Sequence, residues 1–369
     1  MKMHVSMINN VVAHEFNFTL IAACKNAARA AFKRGARAVL NPFCFLGLCV
    51  SGTAPAVQEV VLVKGIGGEP AFTESIQSTA VMWEKAARAA GHRVVLVSGA
   101  GEAGGASQFE QLRTTLEGFG EAANHAQGVP DVLWLVLIGH GSAQGTSPKF
   151  ALEGPDLSAE ALASMLAKVR CPVIVVAGFS CGGAFVKPLS APGRVIVAAT
   201  RSGEEENWAR FSKCFAEAVI GTSADADSDG QVSVFEAWRH AVSQVEAFYK
   251  DQGRMLTEHA VLEDTGDGKP VGVDAFKNSA KTGEKKMRKM ERTKEEEGSM
   301  SRQWHLIPDV VEAALTAEQR LAREQIERLI GALREAKSSR VPEEYQSEME
   351  GLLLRLAVIY AEARERSGK

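Results

Sequence analysis

Five short apolar runs, separated by stretches with helical spacing, constrain this chain more than any other feature. They are residues 60–63 (V-V-L-V), 93–97 (R-V-V-L-V), 132–138 (V-L-W-L-V-L-I), 172–177 (P-V-I-V-V-A) and 194–200 (R-V-I-V-A-A-T). None alternates apolar with polar residues, so each reads as a strand covered on both faces. Residues 75–90, 108–119 and 157–169 carry apolar side chains at helical steps between the runs. Ser158 is placed to cap the last of these, with Glu160 at the positive end of its dipole and Lys168 at the negative end. Strands alternating with helices predict an α/β fold: three layers, α/β/α, around a mostly parallel sheet. Sites in such sheets form beyond the carboxyl ends of the strands. The residues directly after the third, fourth and fifth runs are therefore the candidates.

The chain has 369 residues, 46% of them hydrophobic and 24% charged, which is the ordinary globular range. The net charge of -3 and the lack of interleaved aromatic and basic residues exclude a nucleic-acid partner. Six cysteines are present, Cys24, Cys44, Cys49, Cys171, Cys181 and Cys214, with no C-x-x-C pair, which excludes a zinc ribbon or thioredoxin-like motif. Residues 1–56 read as a leader: Lys33, Arg34 and Arg37 precede an apolar stretch, residues 38–50, and then Ala54-Pro55-Ala56. Basic, apolar, then A-x-A is the order of a secretory signal, and the stretch is too short for a settled membrane span. Export to the periplasm or beyond is the expectation; a cytoplasmic protein is the alternative.

The third run leads into Gly139-His140-Gly141-Ser142, and the fourth into Gly178-Phe179-Ser180-Cys181-Gly182-Gly183. If these strands are neighbours, their tips lie about 5 Å apart. An imidazole facing a thiol there suits amide cleavage: the sulfur attacks the carbonyl and the imidazole moves the protons. A cysteine near a helix N-terminus is expected to have a lowered pKa. The backbone N–H groups of Gly141 and Cys181 are the candidate oxyanion donors.

An apolar strand entering His-Gly, followed by one entering Cys, resembles the caspase-fold (clan CD) cysteine peptidases. The separation of His140 from Cys181 and the C-G-G-A-F that follows look most like the legumain branch and its bacterial caspase-like relatives. The similarity covers about residues 60–272. It implies a cysteine-type endopeptidase acting on peptide or protein substrates, with His140 as general acid/base and Cys181 as nucleophile. It also implies a substrate pocket shaped by the segment after the fifth strand, with Thr200, Arg201, Ser202 and Glu204. Ser180 stands where legumains carry Ala, so a preference for Asn or Asp does not carry over. Residues 262–268 (L-E-D-T-G-D-G) also resemble a segment of the bacterial relatives. Residues 57–273 are thus the expected catalytic domain, with no organic cofactor.

Two other functions compete. Gly178-Phe179-Ser180-Cys181-Gly182 is a literal G-x-S-x-G, the nucleophile elbow of an α/β-hydrolase. On that reading Ser180 attacks, and Asp225 or Asp229 with His240 or His259 completes a serine esterase triad. Against it, neither late histidine follows a strand, and few strands precede the serine. The third class is a catalytically inactive caspase-fold scaffold that binds calcium.

Residues 225–236 fit the twelve-residue EF-hand loop, with carboxylates at positions one, three and five, Gly at six and Glu at twelve. Helices are expected on both flanks, at residues 208–219 and 234–249. The expected Ca²⁺ ligands are Asp225, Asp227, Asp229, Gln231 through its carbonyl, and Glu236. The glycine cluster at residues 65–70 ends in Pro70, which cannot offer an N–H to phosphate, so it reads as a turn. Glu204, Glu205 and Glu206 would favour a basic substrate residue, and Arg201 an acidic one.

Residues 274–305 read as a charged linker, and 306–369 as a helical hairpin. Ala322, Ile326, Leu329, Leu333 and Ala336 form one coiled-coil-like seam; Tyr345, Met349, Leu352, Leu356, Ile359 and Ala363 form the other. Thr316 with Gln319 makes a capping box, and residues 338–342 break the pair. The seams offer surfaces either for self-packing or for self-association.

Overall fold

The computed structural model describes residues 58–99, 105–121, 130, 132–143, 147–277, 297–335 and 340–368. The expected leader lies outside the described residues, as does most of the expected charged linker. In chain order the elements are β1 (Glu59–Lys64), α1 (Pro70–Ala89), β2 (Arg93–Val97), α2 (Gln108–Glu121) and β3 (Leu133–Gly139), then the short β4 (Gly141–Ser142), β5 (Lys149–Phe150) and β6 (Leu157–Ser158). Next come α3 (Ala159–Leu166), β7 (Val173–Phe179), α4 (Gly183–Leu189), β8 (Arg194–Ala198), α5 (Phe211–Ile220) and α6 (Val234–Asp251). The chain continues through β9 (Val261–Glu263), β10 (Val271–Gly272), α7 (Asp274–Lys277), α8 (Val310–Ala313), α9 (Ala317–Glu335) and α10 (Pro342–Ser367).

The main sheet has the order β10-β9-β8-β7-β3-β1-β2. Its five strands from β2 to β8 are parallel, and β9 and β10 add antiparallel at one edge. The apolar runs lack polar positions because both faces are buried. Val60 and Leu62 join the core around Trp83, Trp134, Phe215 and Trp238. Val61 and Val63 join the opposite core around Leu112, Leu116, Phe150 and Phe185. Each fully buried large side chain contributes about 1.5–3 kcal/mol.

Several boundaries differ from the sequence reading. Helix α1 begins at Pro70, whose missing N–H is harmless in a first turn, so the glycine cluster is shorter than expected. Ser158 does cap α3, accepting the N–H of Ala161, but it also pairs in β6. The segment 262–268 folds on Glu263, whose buried carboxylate accepts the N–H groups of Thr265, Gly266 and Asp267.

The largest difference concerns residues 297–306, nine of which the sequence reading placed in the linker. They form a strap across the main domain, with Ser301 and Leu306 fully buried. The Asp264 carboxylate accepts the N–H groups of Gly298 and Ser301, both at 2.8 Å. The strap carbonyls of Trp304 and Ser301 accept the N–H groups of Val234 and Phe235 at the start of α6. Gln58 donates to the His305 carbonyl, and His92 Nε2–H donates to that of Leu306 at 2.6 Å.

Burial and the carboxylates of Asp264, Glu263 and Asp267 push the pKa of Glu297 up to about 8. An unfolded glutamate titrates near 4.3, so between these values the folded chain holds a proton that the unfolded chain has lost. Stability is therefore expected to fall as pH rises from about 4.3 to 8. Urea midpoints measured across that range check this, and Glu297→Gln is expected to flatten the slope.

At the C-terminus, Gln319 near the start of α9 meets Glu362 near the end of α10, so the two helices run antiparallel. Thr316 and Gln319 make both bonds of the expected capping box. Ile326, Leu333 and Ala363 are buried as expected, but Leu329 is 50% exposed and Ile330 takes its inward place. Ala336 lies outside the described residues.

Candidate active site

Strands β3 and β7 are hydrogen-bonded neighbours, and the register pairs Gly139 with Phe179. His140 and Ser180 therefore leave the sheet at one level, with Cys181 the next residue. The tips are joined directly. Gly141 N–H donates to Ser180 Oγ at 3.1 Å, and Ser180 Oγ–H donates to the Gly141 carbonyl at 3.2 Å. A Cβ at Gly141 would lie 2.3 Å from the Ser180 carbonyl oxygen, so only glycine permits this approach.

The His140 imidazole is half-buried between Phe72, edge-on at 5.1 Å, and Trp208 at 4.9 Å. Its Nε2 lies 3.2 Å from the carbonyl oxygen of Gly67. A carbonyl only accepts, so Nε2 carries the hydrogen and Nδ1 presents the basic lone pair. Gly67 belongs to the β1–α1 turn, which the sequence reading gave no chemical role. A backbone acceptor leaves no side-chain signature that could have revealed it.

Cys181 occupies the turn between β7 and α4 with φ of +62°, in the left-handed region that a residue with a Cβ rarely adopts. Holding it there costs about 1–3 kcal/mol. The residue is fully covered. Its N–H donates to the carbonyl of Glu205 at 2.9 Å. Burial pushes the thiol pKa up and the Glu206 carboxylate adds to this, while the Ala143 backbone N–H works against both. The expected lowering by a helix N-terminus is therefore reversed: α4 is short, and desolvation outweighs it.

Both expected oxyanion donors are engaged in this conformation, Gly141 N–H by Ser180 and Cys181 N–H by Glu205. Of the expected pocket residues, Thr200 faces inward. It is fully buried, and its hydroxyl accepts the Gly183 N–H and donates to the Ser202 carbonyl, bracing the loop from inside. Arg201 and Glu204 are exposed, and Ser202 Oγ accepts the Glu204 N–H. Glu205, absent from the expected pocket, is the best-connected residue of the segment. Its carboxylate accepts the N–H groups of Arg201 and His259 and the Nδ1–H of His259 at 2.6 Å.

Two of the groups that the serine reading needs have other partners here. Ser180 Oγ is bound to Gly141 rather than to an imidazole, and His259 is committed to Glu205. His240 lies on α6.

In the acidic loop, ligand oxygens of Asp225, Asp227 and Asp229 all lie within 4.8 Å of one another. Asp225 Oδ2 accepts the Gly230 N–H at 3.0 Å, and Asp229 Oδ1 accepts that of Gln231 at 2.8 Å. Ser228 and Gly230 turn the loop with φ of +61° and +89°. Burial and then the neighbouring Asp229 carboxylate push Asp227 up; burial raises Asp229 as well. Glu236 is already employed: it accepts the Ser233 N–H as part of the α6 capping box, and separately the Ala226 N–H of the loop. The Gln231 side chain accepts the N–H of Asp309, which precedes α8. No described helix is long and apolar enough to cross a membrane.

No family model matches the sequence, and none of the curated proteins is similar to it. Among solved structures, caspase-1 from Spodoptera frugiperda matches with a TM-score of 0.38 and 10% identity, over 63% of this chain and 94% of that one. The Drosophila initiator caspase Dronc matches with a TM-score of 0.39 and 10% identity, over 64% of this chain and 95% of that one. In its own strand order, with a mostly parallel sheet between helices, the chain is a mixed α/β fold consistent with a caspase-like one.

Proposed function

We propose that this chain is a cysteine-type endopeptidase that cleaves peptide bonds with Cys181 and His140. One observation carries the reading: β3 and β7 pair in parallel with Gly139 opposite Phe179, which brings the imidazole-bearing and sulfur-bearing turns to adjoining strand tips. His140 Nδ1 accepts the thiol proton as sulfur attacks the carbonyl carbon, and returns it to the leaving amine. Water then hydrolyses the thioester, with the same nitrogen as base. The N–H groups of Gly141 and Cys181 hold the developing oxyanion once their present partners withdraw. A peptide carrying a thiol-directed electrophile tests the reading: it labels Cys181, and His140→Ala slows that labelling. Labelling of Ser180 by a fluorophosphonate instead would transfer the function to the serine reading.

Charge at the rim favours a basic substrate residue before the scissile bond. The Arg201 guanidinium lies 3.5 Å from Glu205, which leaves the exposed Glu204 and Glu206 without an ion pair among the described residues. Peptides with Arg or Lys at that position are expected to be cleaved faster than those with Asp. Glu206→Gln is expected to narrow the ratio roughly two- to five-fold, the scale of an exposed charge pair. Cleavage rates on matched fluorogenic peptides measure it.

The acidic loop supports a second part of the proposal, a bound Ca²⁺. Asp225, Asp227 and Asp229 would hold it with the Gln231 carbonyl, and Glu236 would join after releasing the Ala226 N–H. Three converging carboxylates fit a hard cation, which would supply the positive charge that offsets their mutual repulsion.

A further inference from the structure

We propose that Glu205 is a positioning residue that keeps the nucleophile closed, and that release of its clasp on His259 makes Cys181 reactive. This rests on the reading of Cys181 as nucleophile. The backbone of Glu205 and its side chain act together. The carbonyl accepts the Cys181 N–H at 2.9 Å, and the same N–H cannot also bind a substrate oxyanion. The carboxylate, 12% exposed, fixes that carbonyl in place. It accepts the backbone N–H of Arg201 at 2.9 Å, that of His259 at 3.0 Å and the His259 Nδ1–H at 2.6 Å. The loop from Arg201 to Glu205 is thus closed on itself and tied to the residue two before β9.

Other restraints on the loop are neutral hydrogen bonds and packing: the Thr200 hydroxyl donates to the Ser202 carbonyl at 3.3 Å. Glu204 N–H rests on Ser202 Oγ at 3.3 Å, and Gly203 packs against Ala143 and Ala184 through its missing Cβ. The charge-assisted bonds of the Glu205 carboxylate are the strong ones. Removing them shifts the population toward conformers in which the loop lifts off Cys181. The fully covered sulfur then meets solvent, and its N–H is released for the oxyanion.

Alkylation by iodoacetamide in the full-length protein tests this without any substrate. The sulfur forms a bond to carbon, iodide leaves, and the thiol proton passes to solvent. Peptide mass spectrometry gives the rate at Cys181 beside those at Cys214, whose thiol burial raises to about 11, and at Cys171, neither of which is in a disulfide. Glu205→Ala is expected to raise the Cys181 rate at least ten-fold with Cys171 and Cys214 unchanged. His259→Ala, which removes one of the clasp bonds and leaves the loop sequence intact, is expected to give a smaller rise in the same pattern. Equal acceleration of all three thiols would overturn the proposal, because it reports general loosening. An unchanged Cys181 rate in folded His259→Ala would overturn it too. Loss of the peptidase reading shows up separately, as cleavage that survives Cys181→Ala.

Discussion

Cys181→Ala is expected to abolish peptide cleavage, with a fall on the order of 10⁴-fold or more in kcat, because the variant lacks the proposed nucleophile. Ser180→Ala is expected to keep most of the activity. Its hydroxyl is spent on both the N–H and the carbonyl of Gly141, a bracing role whose loss costs about 1 kcal/mol. Part of that loss is offset, since the Gly141 N–H becomes available to an oxyanion. Initial rates of both purified variants on one fluorogenic peptide decide the matter. Activity lost in Ser180→Ala and retained in Cys181→Ala would reverse the assignment.

Added Ca²⁺ is expected to stabilise the protein strongly. Asp227 and Asp229 are held above their usual range by burial and by neighbouring carboxylates, so the loop stores repulsion that a dication removes. A ligand at a hundred times its Kd stabilises a protein by about 2.7 kcal/mol. In a domain of this size that corresponds to a rise in Tm of roughly 5–10 °C. Asp225→Asn is expected to abolish most of the rise, since Asp225 also orients the loop through the Asp229 and Gly230 N–H groups. Mg²⁺, which demands a tighter octahedral shell, is expected to give less. Calorimetry showing neither heat nor a change in Tm would end the calcium reading. The capping-box bonds of Glu236 set a specific requirement: its carboxylate must serve both the α6 N-terminus and the cation, or exchange one for the other.

The parallel sheet was legible because burial on both faces removes polar residues from β1, β3 and β7, and that mark survives in the sequence alone. The placing of the turns that carry His140 and Cys181 at adjoining strand tips followed from it, since only the adjacency of β3 and β7 had to be supplied. Features made by short or distant contacts were not legible. Strands β4 to β6 have two residues each, too few to show a period. The Gly67 carbonyl that orients His140 belongs to the backbone. Glu205 looked like one of three equivalent acids, and only the fold shows that its neighbours face outward while it turns to His259. The resemblance assigns Thr200 to the substrate pocket along with the whole segment after the fifth strand, and nothing in the sequence separates it from its neighbours, whereas the fold turns its hydroxyl to the Gly183 N–H.

The strap of residues 297–306 has a consequence for how the polypeptide tolerates cutting. Its anchors reach Gln58, His92, Asp264 and the first turn of α6, so both sides of any break between Lys277 and Glu297 remain fastened to the same body. A chain nicked there would run as two bands under denaturing conditions yet elute as one particle from a sizing column. A chain ending before Glu297 would instead leave the N–H groups of Val234 and Phe235 without their carbonyl partners and open the ground beneath Leu306 to water.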